Sequence, residues 1–342
     1  MTGKISRRSI LGLAGAALAA PRVWAQSAGV PIRFSLNLPR NGTNSPFIHA
    51  LERGFFAAEG IRITAMDPAA GADAMQRVAT ETYDVSFADL PGVAEFHLRN
   101  PDSSPMGIFN VYRSTPASIV SWAGTNIRRP ADLVGKTIGG PVTDNAFRLF
   151  PVFFRANGLD PQSVKFNNMD LRLREAVFMR REVDAITGFD STIWLNLKGL
   201  GVKFEDISIM PYSAHGLDLY SNSILVSRKA LRDHEAILPG LVRACLRGWR
   251  EAIANPGAAT DSLVRADGLV NRQIELERLE WVLKHQVLTE ETARGGLGDV
   301  DRARLQRSVE ALAQGLQLPR VTSIEAIWTD KYLPALADRR VT

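Results

Sequence analysis

The chain has 342 residues, 45% hydrophobic and 23% charged, an ordinary globular composition long enough for two cores. Its formal charge of +5 is uneven: Lys4, Arg7, Arg8 and Arg22 lie in the first 25 residues with no acid, leaving 37 basic residues against 36 acidic ones. No basic block remains to hold nucleic acid, no apolar run reaches the roughly 18 residues of a membrane span, and the single cysteine, Cys245, excludes an intrachain disulfide.

The first 25 residues read as a secretory signal. Lys4, Arg7 and Arg8 precede the apolar run Ile10 to Ala20, and Val23-Trp24-Ala25 offers a cut after Ala25. Ser6-Arg7-Arg8-Ser9-Ile10-Leu11 has the form of a twin-arginine export motif, so a periplasmic location is expected. Pro31 to Leu38 is the first expected strand. The turn cluster Pro39 to Pro46 follows, with Asn44 or Ser45 as a helix cap.

From His49 to Ile61 the text is HALERGFFAAEGI. Ala50, Leu51, Phe55 and Phe56 form an apolar helical face, and Gly60 suits a left-handed C-cap. A β-branched strand, Ile61 to Met66, starts at once. Such a βαβ unit places its ligand crevice beyond the carboxyl ends of its strands. Asn37, Asn41 and Phe47 should face that crevice, with His49 close by. The small-residue loop Pro68 to Ala72 offers further backbone N–H groups.

Further strands are expected at Thr80 to Asp89, Met106 to Tyr112 and Ser118 to Trp122. Gly135-Lys136-Thr137 suggests a phosphate loop, but Pro130 stands where a Walker sequence needs glycine. Strands at Thr137 to Pro141, Val164 to Met169, Asp184 to Phe189 and Lys203 to Met210 then alternate with three helices. Those helices are Asp144 to Asn157, Arg172 to Arg181 and Ser191 to Lys198. The rhythm is that of an α/β sheet. After Val226 the pattern turns helical, at Leu238 to Ala254, Ala258 to Arg265, Arg272 to His285, Arg302 to Leu316 and Ile324 to Trp328. Cys245 reads as a small core residue. No HExxH, CxxC, EF-hand loop or G-x-S-x-G elbow occurs, so neither a metal site nor a hydrolase triad has an anchor.

Several stretches carry a resemblance. ALERGFFAAEGI, TETYDVSFAD, NIRRPADLVGKTIGG, REVDAITGFDS, GLDLYSNSILVS and GWREAIANPGAAT resemble, in order, periplasmic solute-binding proteins of ABC importers. The branch is the type II one that takes up nitrate, sulfonates, taurine and thiamine pyrimidine precursors. Arg181 stands where that pattern usually has glycine, which puts the tight turn there in doubt.

The resemblance implies an α/β, two-lobed Venus-flytrap clamp with a two-strand hinge and a helical C-terminal part on lobe one. Lobe one would hold residues 32–115 and 223–342, and lobe two residues 117–219. It implies a monomer that uses no cofactor and hands a small molecule to a membrane permease without making or breaking a bond. Alternatives are a periplasmic sensor or partner domain with the same clamp, and a pyrimidine-synthase-like enzyme. Cys245 alone cannot supply the cysteine-rich motif of that enzyme.

Candidate ligand-binding residues sit at strand ends and at the crossings between lobes. Asp89, Tyr112 and Arg113 end strands of lobe one, and Trp122 follows the first crossing. Thr143, Asp144 and Asn145 open a helix of lobe two, where Phe189 and Asp190 end a strand. Asp218, Tyr220 and Asn222 lie at the second crossing. Aromatics would stack on a planar ring and Asp or Asn would read its edge, favouring a pyrimidine-like ligand over a sulfonate.

Overall fold

The computed structural model describes residues 29–69 and 72–341. The expected signal segment, and Ala70 and Gly71 of the small-residue loop, lie outside the described residues. In chain order the strands are β1 (Val30–Ser35), β2 (Ile61–Asp67), β3 (Val85–Asp89), β4 (Met106–Asn110), β5 (Ala117–Trp122), β6 (Thr137–Gly140), β7 (Lys165–Asn168), β8 (Ala185–Phe189), β9 (Ile207–Pro211) and β10 (Asn222–Val226). They form two sheets of five, ordered β2-β1-β3-β10-β4 and β7-β6-β8-β5-β9.

The two sheets repeat one plan. β1 pairs in parallel with β2 and β3, as β6 does with β7 and β8. The next two strands are antiparallel: β10 on β3 and β4, and β5 on β8 and β9. The chain leaves the first sheet after β4 and returns at β10, so two crossings join the lobes.

Helices α1 (Ser45–Glu52), α2 (Phe55–Ala58), α3 (Asp73–Ala79) and α4 (Leu90–Arg99) belong to the first half. Helices α5 (Asn145–Ala156), α6 (Arg174–Met179) and α7 (Asp190–Gly199) pack on the second sheet. Then come α8 (Arg228–Asp233), α9 (Leu238–Ala254), α10 (Pro256–Ala266), α11 (Arg272–Val282), α12 (Glu290–Gly295), α13 (Arg302–Gly315) and α14 (Leu336–Arg339). No described helix is long and apolar enough to cross a membrane.

The expected opening helix breaks in two. Gly54 adopts φ +72°, ending α1 and starting α2, so Leu51 turns outward and is 40% exposed. Gly60 takes the expected left-handed conformation, φ +71°. Arg181 does too, at φ +58°, so the turn before β8 survives without glycine. The expected strand Lys203 to Met210 is half 3-10 turn, Phe204–Asp206, and half β9.

The first core is aromatic: Phe34, Phe47, Phe87, Tyr112 and Trp249 interlock with ring centroids 4.8 to 6.4 Å apart. Cys245 is buried within it and burial pushes its thiol far above the usual range, as suits an inert core residue. The second core gathers Phe150, Phe153, Phe154 and Tyr212. Leu312 of α13 is buried in that second core, while Leu305 and Val309 of the same helix pack with Leu90 and Val93, so α13 touches both lobes.

Candidate functional site

The cleft follows from strand direction. β3 and β8 both point their carboxyl ends at the seam, and each runs directly into a helix, α4 after Asp89 and α7 after Phe189. The two junctions are equivalent in register: Asp89 faces Asn222 across its sheet, and Phe189 faces Ala117.

Between the junctions lies a cavity. Asn37 and Leu38 of the first lobe line one wall, and Pro141, Thr143, Asp144, Asn145, Arg174, Phe189 and Thr192 of the second line the other. A neighbouring recess shares Asn145 and adds Asp89, Glu95 and Arg148. Each has a volume of about 20 Å³, room for about one water. The lobes are therefore closed. The Ala72 N–H donates to the Thr143 carbonyl at 3.3 Å across the seam, and Arg148 of α5 pairs with Glu95 of α4.

The walls hold buried polar atoms without partners. They include Asn37 Oδ1 from the first lobe and Thr192 Oγ1 from the second. Just behind them, the Tyr112 hydroxyl and Gln286 Oε1 are also unpartnered. Buried polar atoms are normally hydrogen-bonded, and a cluster without partners needs a reason.

Burial also shifts the acids. Asp190 is pushed up to about 7, chiefly by loss of water, although Gln286 Nε2 donates to it at 3.2 Å. Asp89 is pushed up to about 6 by the same cause, against a hydrogen bond from Ser221 Oγ at 2.9 Å. Asp144 is raised by burial and opposed by Arg174.

Of the residues expected from sequence, Asn37, Thr143, Asp144, Asn145 and Phe189 line the cleft and Asp89 lines the recess. Asp144 also caps α5, accepting from the Ala146 N–H at 2.7 Å. Asp190 and Tyr112 lie directly behind the wall, Tyr112 within the field of Asp190. Asn222 sits beside Asp89 with its Nδ2 unpartnered.

Eight expectations need correction. Asn41 caps the 3-10 turn Gly42–Asn44, accepting from Thr43 N–H and Oγ1. Asn44 makes no side-chain cap bond to α1. Phe47 is core, because its position on α1 points at Phe34 and Phe87. His49 faces α9 and α10: Nδ1 meets Ser262 Oγ at 2.8 Å and Nε2 meets Glu251 Oε2 at 3.0 Å. That Ser–His–Glu line resembles a hydrolase relay, but Ser262 is buried and is a strut between helices.

Trp122 lies at the far end of lobe two. β5 runs antiparallel to β8, so its carboxyl end points away from the seam. There the indole stacks on Phe178 at 4.7 Å and donates to the Phe178 carbonyl. Arg113 is only 2% exposed and donates to Thr292 Oγ1, Glu291 and the Gly296 carbonyl. Tyr220 donates to Glu291 and accepts from the Asp301 N–H, and Asp218 pairs with Arg304. These last three tie the crossings to the C-terminal helices, and their polar groups are satisfied there.

Thr192, Arg174 and Gln286 went unnoticed in the sequence. Thr192 could have been found, since it lies in the first turn of the helix that leaves β8 at the seam. Gly188 was a faint signal for Arg174: a Cβ there would overlap its guanidinium. Gln286 gave none, because it reaches Asp190 from 96 positions away.

The family model described as NMT1/THI5 like matches residues 41–259. The chain belongs to this family. Riboflavin-binding protein RibY of Chloroflexus aurantiacus is 25% identical over 331 residues, covering 94% of this chain and 91% of that protein. The formylaminopyrimidine-binding protein of Halalkalibacterium halodurans is 26% identical over 242 residues, covering 69% and 71%. A 4-amino-5-hydroxymethyl-2-methylpyrimidine phosphate synthase of Legionella pneumophila is 20% identical over 231 residues, covering 68% and 72%. The fold matches that of the periplasmic aliphatic sulphonate binding protein SsuA from Escherichia coli, with a TM-score of 0.67 at 14% identity, covering 89% and 94%. The NMT1/THI5-like chain thus has the two-lobed α/β fold of periplasmic binding proteins.

Proposed function

We propose that this NMT1/THI5-like protein is exported and captures a small planar heterocycle between its lobes, for delivery to an ABC importer permease. Lobe one would comprise residues 32–115 and 223–342, and lobe two residues 117–219. The observation that carries the reading is the pair of unpartnered buried atoms on facing walls, Asn37 Oδ1 and Thr192 Oγ1. A ligand with matching polar edges would satisfy both at once and so favour the closed form. A cavity of one-water size means that the lobes must part for entry and close less far around a bound ring than they do here.

Charge favours a heterocycle over a sulfonate. The Arg174 guanidinium already faces Glu175 at 2.6 Å and Asp144 at 3.6 Å, and Arg148 faces Glu95. Acids outnumber bases on these walls, so an anion would meet no unneutralised cation there. Capture without catalysis is supported by the relatives from Chloroflexus aurantiacus and Halalkalibacterium halodurans, both named as binding proteins.

A thermal-shift panel of riboflavin, formylaminopyrimidine, taurine, an alkanesulfonate and nitrate tests this. Riboflavin or the pyrimidine should raise the melting temperature by several degrees and the anions should not. A response to the anions alone would overturn the reading.

A further inference from the structure

α11 belongs to the first lobe, where Leu279 and Val282 enter the core. Its other face carries Glu275 and Arg278, 8% and 3% exposed. Neither lines the cleft. Glu275 Oε2 accepts the Gly42 N–H at 2.6 Å, from the turn that follows β1. The same carboxylate grips Arg278 at two points, 2.8 Å from Nε and 3.2 Å from Nη2.

The rest of the guanidinium reaches the second lobe. Nη1 donates to the Ser191 carbonyl at 2.8 Å and the Thr192 carbonyl at 3.3 Å, and Nη2 donates to Asn196 Oδ1 at 3.1 Å. All five donors of the fork are engaged, three of them across the seam. Asn196 continues the chain to Glu175 Oε1 at 3.1 Å, and Glu175 holds Arg174 in the cleft wall. Gly42 is what lets α11 come so near: a Cβ there would overlap the Glu275 carbonyl oxygen.

We infer that Glu275 and Arg278 are positioning residues that latch the two lobes together, holding the clamp shut through an ion pair outside the cleft. Parting the lobes removes three of the bonds to Arg278 at once. The pair therefore sets how much of the protein is closed before any ligand arrives. It also fixes the first turn of α7, which carries Asp190 and Thr192. The inference rests on the clamp reading above, but its test needs no ligand.

Spin labels on Arg62→Cys and Lys165→Cys, exposed positions on the edge strands β2 and β7, report the interlobe distance by pulsed dipolar spectroscopy. Cys245 is buried and stays unlabelled. The parent protein should give one short-distance population. Gly42→Ala, which wedges α11 away, and Arg278→Gln should shift it to longer, broader distances. Arg278→Lys, with three donors, should fall between. Unchanged circular dichroism separates this from unfolding, and Gly42→Ala and Arg278→Lys decide the matter where Arg278→Gln does not fold. Distances in those two variants identical to the parent's would overturn the latch whatever the ligand panel gives. Shifted distances would support it even where the panel finds no ligand and the capture reading fails.

Discussion

The turn from β8 into α7 and the second crossing, from Asp218 to Tyr220, hold the same kinds of residue: acids and hydroxyls near aromatic rings. They differ in whether those groups are satisfied. Tyr220 and Asp218, with Arg113 nearby, spend their polar atoms on Glu291, Asp301, Arg304 and backbone carbonyls. Thr192 Oγ1 and Gln286 Oε1, at or behind the first region, have none. Completed hydrogen bonding marks a strut, and buried incompleteness marks a place where something else can bind.

The sharpest way to break this contrast is at the strut. Arg113→Ala leaves Glu291 and buried carbonyls short of donors, and should cost about 3 to 5 kcal/mol of stability. Urea unfolding measures it. A loss below about 1 kcal/mol would show that the crossing is not held as described.

Next in size is a pH effect at the seam. Asp190 rises from 3.8 to about 7 in the folded state, so the folded protein holds a proton that the unfolded chain has released. Its contribution to stability is full below pH 3.8 and is lost as pH climbs through about 7. Asp190→Asn cannot ionise and escapes that loss. Relative to the parent it should gain up to about 1.4 kcal/mol for each pH unit between those values. Parallel unfolding curves at acid and mildly alkaline pH read this, and a difference that does not grow with pH would contradict the burial described.

The smallest stability effect belongs to the cleft wall. Thr192→Val removes an unpartnered hydroxyl at equal volume, so stability should change by less than about 1 kcal/mol. Affinity for whichever panel compound binds should nonetheless fall about tenfold, by titration calorimetry. Tyr220→Phe should do the reverse, losing about 1 kcal/mol of stability with affinity unchanged. Matching behaviour in the two variants would erase the distinction between the regions.

Much of the fold was legible because its signals are local. Gly60 and Gly158 end helices in the left-handed conformation, and hydrophobic alternation located the strands to within a few residues. The site was half legible. Strand ends gave Asn37, Asp89 and Phe189, and a helix N-terminus gave Thr143, Asp144 and Asn145, all of which line the cleft or its recess. Trp122 was misplaced because a strand's text does not say which way it runs beside its neighbour. Phe47 and His49 were misplaced because α1 presents more than one face, and only α9 and α10 decide which face is buried.

By itself the sequence determined the alternation of strand and helix, the left-handed turns and the small inert cysteine, since each depends on neighbours a few positions away. Which polar groups are satisfied was decided by tertiary structure alone. Glu291 reaches Tyr220 across 71 positions, and Glu275 reaches Gly42 across 233. Hydrogen bonds act over about 3 Å of space, and only the folded chain brings such distant residues that close.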